Sequence, residues 1–174
     1  MVSLCFILQN QGKNCFDYNS SLLAYAIGFI TVPFIGNIQS QSLNQVLKNI
    51  EVNANIALLK TDVDGFDYDV IRSSYELLSE LPYLYFETLS ENLAQLNGYK
   101  LLFSELMEKG YDYFSLFDNF GQFVVTTNDL HQLDELLDYV YRQNIKPGTR
   151  TFFYYDILSC PKKKRKNVDA LVAD

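Results

Sequence analysis

At 174 residues the chain is long enough for one domain with a real core and too short for two comfortable ones. Hydrophobic residues at 48% and charged residues at 20% exclude disorder for the bulk of it, and a net charge of -7 argues against a general nucleic-acid or anionic-membrane partner. The 13 Tyr and 13 Phe, with no Trp, are expected to pack in the core or cover its rim.

Residues 1–8 are apolar but lack a basic leader and run straight into Gln9-Asn10-Gln11, which makes a poor signal peptide. The longest apolar stretch, 22–35, is interrupted by Gly28 and Pro33. It falls short of the ~20 residues a spanning helix requires, so it reads as a buried core segment without a membrane partner. Cys5, Cys15 and Cys160 have no metal-like spacing, and with one histidine in the chain a zinc site is not expected. They read as reduced thiols of a cytoplasmic protein.

The pattern sharpens after residue 50. An apolar run at 56–61 without helical period, closed by Asp64-Gly65, predicts a buried strand. Asp67 is placed to cap a helix with apolar-face positions Val70, Ser74, Leu77, Leu78 and Leu81, ended by Pro82. A strand follows at 83–86 and closes on Glu87. A second helix carries Tyr99, Leu102, Phe103, Leu106 and Met107, with Gly110 as its stop. Strands at 111–117 and 122–127 flank hairpin chemistry in Asp118-Asn119-Phe120-Gly121. A third helix starts near Asn128-Asp129 and buries Leu130, Leu133, Leu136, Leu137 and Val140. Pro147-Gly148 is a turn, and 152–158 a last strand. Strand–helix–strand–helix and then a hairpin is the later half of an α/β doubly wound sheet with an antiparallel edge. In such sheets chemistry gathers at the C-terminal ends of the parallel strands, the rim on which Asp62, Asp64 and Glu87 fall.

The run Lys60-Thr61-Asp62-Val63-Asp64-Gly65 resembles the Lys-x-Asp-x-Glu-Gly strand end of FkbM-type methyltransferases, with Asp64 where that family usually has Glu. Phe86-Glu87 resembles the aromatic-Glu end of the family's next strand. The 42–47 segment is similar to the short helix before the motif, and Tyr154-Tyr155-Asp156 to the aromatic-Asp close near the C-terminus. The resemblance spans roughly residues 40–158. It implies a class I methyltransferase-like fold, S-adenosylmethionine as cofactor, and methyl transfer to a hydroxyl of a small molecule or glycan. The catalytic candidates it supplies are Asp62 and Asp64, with Lys60 and Glu87 behind them. The family's glycine-rich cofactor turn has no counterpart, because no Gly-x-Gly occurs in the chain. A strand–helix–strand unit takes ~30 residues or more, so 1–50 is too short for the cofactor half. The chain is therefore expected to be a partial or degenerate methyltransferase with no assignable cofactor-binding residue.

Each feature also has a local explanation. Asp62 and Asp64 suit a polar turn, and Asp67 and Asp69 a helix start. Lys60 suits a structural ion pair, and Glu87 a solvated strand end. His131 shares the polar face of its helix with Asp134, Glu135 and Asp138, which reads as solvated. Two other functions stay open: a nucleotide-sugar glycosyltransferase holding a divalent metal on Asp62-Val63-Asp64, or a non-enzymatic fragment. The organisation expected is an N-terminal segment at 1–40, the methyltransferase-like half at 41–158, and a basic, disordered tail at 159–174. Within that tail Pro161-Lys162-Lys163-Lys164-Arg165-Lys166 matches the short basic nuclear-import pattern, although a solubilising tail has the same composition.

Overall fold

The computed structural model describes residues 3–9, 27–31, 44–45, 55–148 and 151–165. Seven strands form one mixed sheet: β1 (Ser3–Gln9), β2 (Ile27–Thr31), β3 (Asn55–Asp62), β4 (Tyr83–Glu87), β5 (Tyr111–Asp118), β6 (Phe123–Thr127) and β7 (Tyr155–Pro161). Their spatial order is β2-β1-β3-β4-β7-β5-β6. The helices are α1 (Asp67–Arg72), α2 (Tyr75–Leu78), α3 (Leu93–Glu108) and α4 (Leu130–Asn144). The chain is mixed α/β, as expected. In the 42–47 segment, Asn44 and Gln45 are helical and the other positions lie outside the described residues.

β3 and β4 are parallel, with Leu58 opposite Tyr83 and Lys60 opposite Tyr85. β7 runs antiparallel between β4 and β5, so β5 points the same way as β3 and β4. The expected hairpin of β5 and β6 closes this edge. On the other side β3 pairs antiparallel with β1, and β1 antiparallel with β2. A doubly wound sheet would put a parallel strand beside β3. The N-terminal segment fills that place with a reversed strand instead.

The helices α1 to α4 share one core with one face of the sheet, where Leu59, Leu84, Phe86, Phe114 and Ile157 meet Ile71, Leu78, Leu102, Phe103 and Leu137. Crossovers of one hand that step the same way along a sheet, β3 to β4 and then β4 to β5, place their helices on the same face. The opposite face carries a smaller cluster in which Tyr83 and Cys160 are buried among Leu58, Tyr113 and Leu158.

Three expectations change. The helix read over 67–81 breaks into α1 and α2, because Ser73 and Ser74 turn their hydroxyls back onto the Val70 and Ile71 carbonyls and compete with the helix ladder. Asp67 is not the cap of α1. Phe66 holds that position, and Asp67 is wholly buried. The last strand lies three residues later than its pattern suggested. The aromatic residues at 152–154 form an approach segment pinned by amides: Asn119 bonds the Thr151 carbonyl and the Phe153 N–H, and Asn144 the Phe153 carbonyl.

That shift moves the tail. Ser159, Cys160 and Pro161 are buried in β7, and a 3₁₀ turn at Lys162–Lys164 follows. The tail boundary expected at residue 159 is therefore wrong for 159–165; residues 166–174 lie outside the described residues. Among the described residues no helix is long and apolar enough to cross a membrane.

Candidate functional site

β3 and β4 end side by side because they are parallel and in register, which brings Lys60, Asp62 and Glu87 to one edge. Alternation decides which face each residue joins. Leu59, Leu84 and Phe86 point into the helical core, so Lys60, Tyr85 and Glu87 occupy the opposite face. β7 adds Asp156, directly opposite Glu87 in the antiparallel register. Asp62 lies exposed 3.8 Å from the Lys60 ammonium, and that ammonium sits 5.8 Å from the Tyr85 ring centre. The Tyr85 side chain acts on the Asp156 carboxyl and favours its charged form.

Asp64 stands apart. It is exposed in the turn after β3, in left-handed backbone with φ 49°, beside Gly65 at φ 86°. What fixes this turn is Asp67: the Thr61 hydroxyl donates to one carboxylate oxygen at 2.5 Å and the Val63 N–H to the other at 3.3 Å. The loop after β4 is equally tied. Thr88 exchanges bonds with the Tyr155 backbone, and the Asn144 amide donates to the Ser90 carbonyl. Two rigid loops therefore frame the rim from its core side.

Carboxylates outnumber cations here, and the protonation equilibria respond. Burial, followed by the charges of Asp67, Asp62, Asp156 and Asp64, pushes the Glu87 carboxyl up to about 8. Burial raises Asp67 to about 6 against the pull of its two hydrogen bonds. Asp156 is raised by burial, while the Tyr85 hydroxyl and the Lys60 charge oppose the rise. Tyr85 is pushed up to about 12 by burial and by Asp156. At neutral pH, Glu87 is thus mainly a protonated donor.

A carboxyl whose pKa is raised on folding makes its full contribution below its unfolded value and loses it as pH climbs through the folded value. From Glu87 and Asp67, stability should fall between pH ~4 and ~8. Glu87→Gln should flatten the upper part of that fall, read by urea denaturation at a series of pH values. An unchanged slope above pH 6 in the variant would show that Glu87 titrates normally.

Of the sequence candidates, Lys60, Asp62 and Glu87 come together; Asp64 lies at the margin, acting on Glu87 only as the last of four charges. Sequence reasoning missed Tyr85 and the structural part played by Asp67. It noted Asp156 only within an aromatic-Asp motif, and only the pairing of β4 with β7 shows where that residue goes. His131 is exposed on α4, 3.7 Å from Glu135, as the polar-face pattern implied. Among the described residues no group of three or more His, Cys, Asp or Glu side chains is arranged to hold a metal ion.

The fold and the rim together define a mixed α/β protein with an acidic, tyrosine-flanked edge at the ends of its parallel strands. No family model, no curated protein and no solved structure matches the chain.

Proposed function

We propose that the chain is a partial or degenerate FkbM-like methyltransferase whose β3–β4 rim serves as the hydroxyl-acceptor side of the site. The observation that carries this is the convergence of Asp62, Glu87 and Asp156, with the Tyr85 hydroxyl, on the ends of two parallel strands. Mixed donors and acceptors of this kind suit a polyol. The Asp62 and Asp156 carboxyl oxygens can accept from ligand hydroxyls, and protonated Glu87 donates to one. A carboxylate beside a bound hydroxyl is also placed to take its proton during transfer.

The described residues do not fit S-adenosylmethionine. A nucleotide cofactor needs glycine backbone open to close approach. At Gly65, in the turn that follows β3 at the rim, an added Cβ would meet Gln95 Nε2 at 2.6 Å and the Leu89 carbonyl at 2.9 Å. The space its missing side chain leaves is filled by the protein itself. No step is therefore assigned to the cofactor.

The reading predicts weak, saturable binding of simple glycosides at the rim. Backbone amide NMR with a panel of methyl glycosides should shift residues 60–65 and 85–88, and Asp156→Asn should remove the shifts while leaving the remaining spectrum in place. Shifts scattered away from the rim, or none with any glycoside, would sink it.

A further inference from the structure

The basic run is the one sequence motif that the proposed function does not absorb, and the structure shows its described part, Pro161 to Arg165, docked. The Lys164 ammonium donates to the Leu81 carbonyl at 2.6 Å and lies 5.1 Å from the centre of the Tyr83 ring. The Tyr83 hydroxyl in turn reaches the Lys164 carbonyl at 3.4 Å. The Arg165 guanidinium sits 4.6 Å from the Tyr113 ring centre. The Lys162 N–H donates to the Gly110 carbonyl at 2.9 Å, which joins the run to the start of β5. Leu81, whose carbonyl receives Lys164, is itself held at φ 55°, an uncommon backbone state for leucine. Lys162 and Lys163 remain exposed.

A lysine-rich import signal is read as an extended peptide whose ammonium groups enter an acidic, aromatic-lined groove on the receptor. A 3₁₀ turn with its Lys164 committed to Tyr83 and the following Arg165 to Tyr113 cannot present that shape. We infer that Lys162–Arg165 is an autoinhibited address: docked on the sheet it is unreadable, and released it is bound by a groove of that chemistry. The two tyrosines supply in the chain the aromatic contacts that the receptor would otherwise supply. Docking thus competes directly with recognition, and apparent affinity falls with the released fraction.

The test uses the full chain on a tandem fluorescent-protein carrier, with residues 161–166 alone on the same carrier, both expressed in nucleated cells. The hexapeptide should accumulate in the nucleus and the full chain should not. The Tyr83→Leu/Tyr113→Leu chain should accumulate at least ~3-fold over the parent, the gain expected when a mostly docked population is released. Because Tyr83 is buried, Tyr113→Leu alone is run beside the pair, with far-UV circular dichroism to establish folding and trypsin cleavage after Arg165 to report release. Faster cleavage together with nuclear accumulation supports the proposal. Accumulation of the parent chain equal to that of the hexapeptide, a folded and cleavable variant that stays outside the nucleus, or a hexapeptide that does not accumulate would overturn it.

Discussion

Phe103→Ala is expected to cost about 3–5 kcal/mol, the usual range for deleting a fully buried ring. Phe103 has no exposed surface, stands 5.1 Å edge-to-face from Phe114 on β5, and lies 6.1 Å from Phe86 on β4. It is thus the point at which α3 clamps two strands together. Whole-domain stabilities are about 5–15 kcal/mol, so this one change should take a large fraction of the margin. Phe103→Leu keeps part of the volume and should cost less than half as much. Urea midpoints for the two variants decide the matter. A loss under ~1 kcal/mol for alanine would mean that α3 does not pack on the sheet in this way.

The second large effect is at Asp67. Burial raises its pKa to about 6 although the Thr61 hydroxyl and the Val63 N–H both bond to it, so desolvation outweighs the two bonds. The group makes its full contribution below pH ~4 and loses it as pH rises through about 6. Asp67→Ala strands both donors in a buried place and should cost about 2–3 kcal/mol at pH 5. Asp67→Asn keeps the size and can bond both partners without a charge, the Thr61 hydroxyl turning to accept. It should lie within ~1 kcal/mol of the parent at pH 8 and show a flatter pH dependence. Equal losses for Ala and Asn at both pH values would contradict this account of the turn.

Local signals made much of the C-terminal part legible. Asp129 does cap α4, its carboxylate taking the His131 N–H. Gly110 does end α3, at φ 99°. Asp118 does organise the hairpin turn, accepting from the Phe120 and Gln122 N–H groups. These features depend on residues within a few positions of one another, which a sequence displays. The misplaced last strand depends on partners far away in the chain. Phe152, Phe153 and Tyr154 carry strand composition, but Asn119 and Asn144 hold that backbone off the ladder. Pro161, a poor strand residue by composition, sits in β7 opposite Tyr111, where the register is already shifted by a bulge.

The candidate site divides in the same way. Lys60, Asp62 and Asp64 belong to one contiguous run, and Glu87 closes the next strand, so parallel pairing was enough to place them. Asp156 reaches Glu87 only because β7 returns between β4 and β5, and no local pattern encodes that insertion. Asp67 looked like a cap because Asp at a helix start usually is one. Its burial follows from the Thr61 hydroxyl facing the helical side of β3, which is a tertiary fact.

We propose that the rim keeps the acceptor side of a methyltransferase while the described residues form no cofactor cradle. Isothermal titration of the 174-residue chain with S-adenosylmethionine tests it most directly. A cofactor site usually covers ~70% or more of its ligand, and a rim backed by a filled Gly65 covers far less. The expected result is no saturation below millimolar ligand, with Asp62→Ala making no difference. A dissociation constant in the low micromolar range would contradict the account.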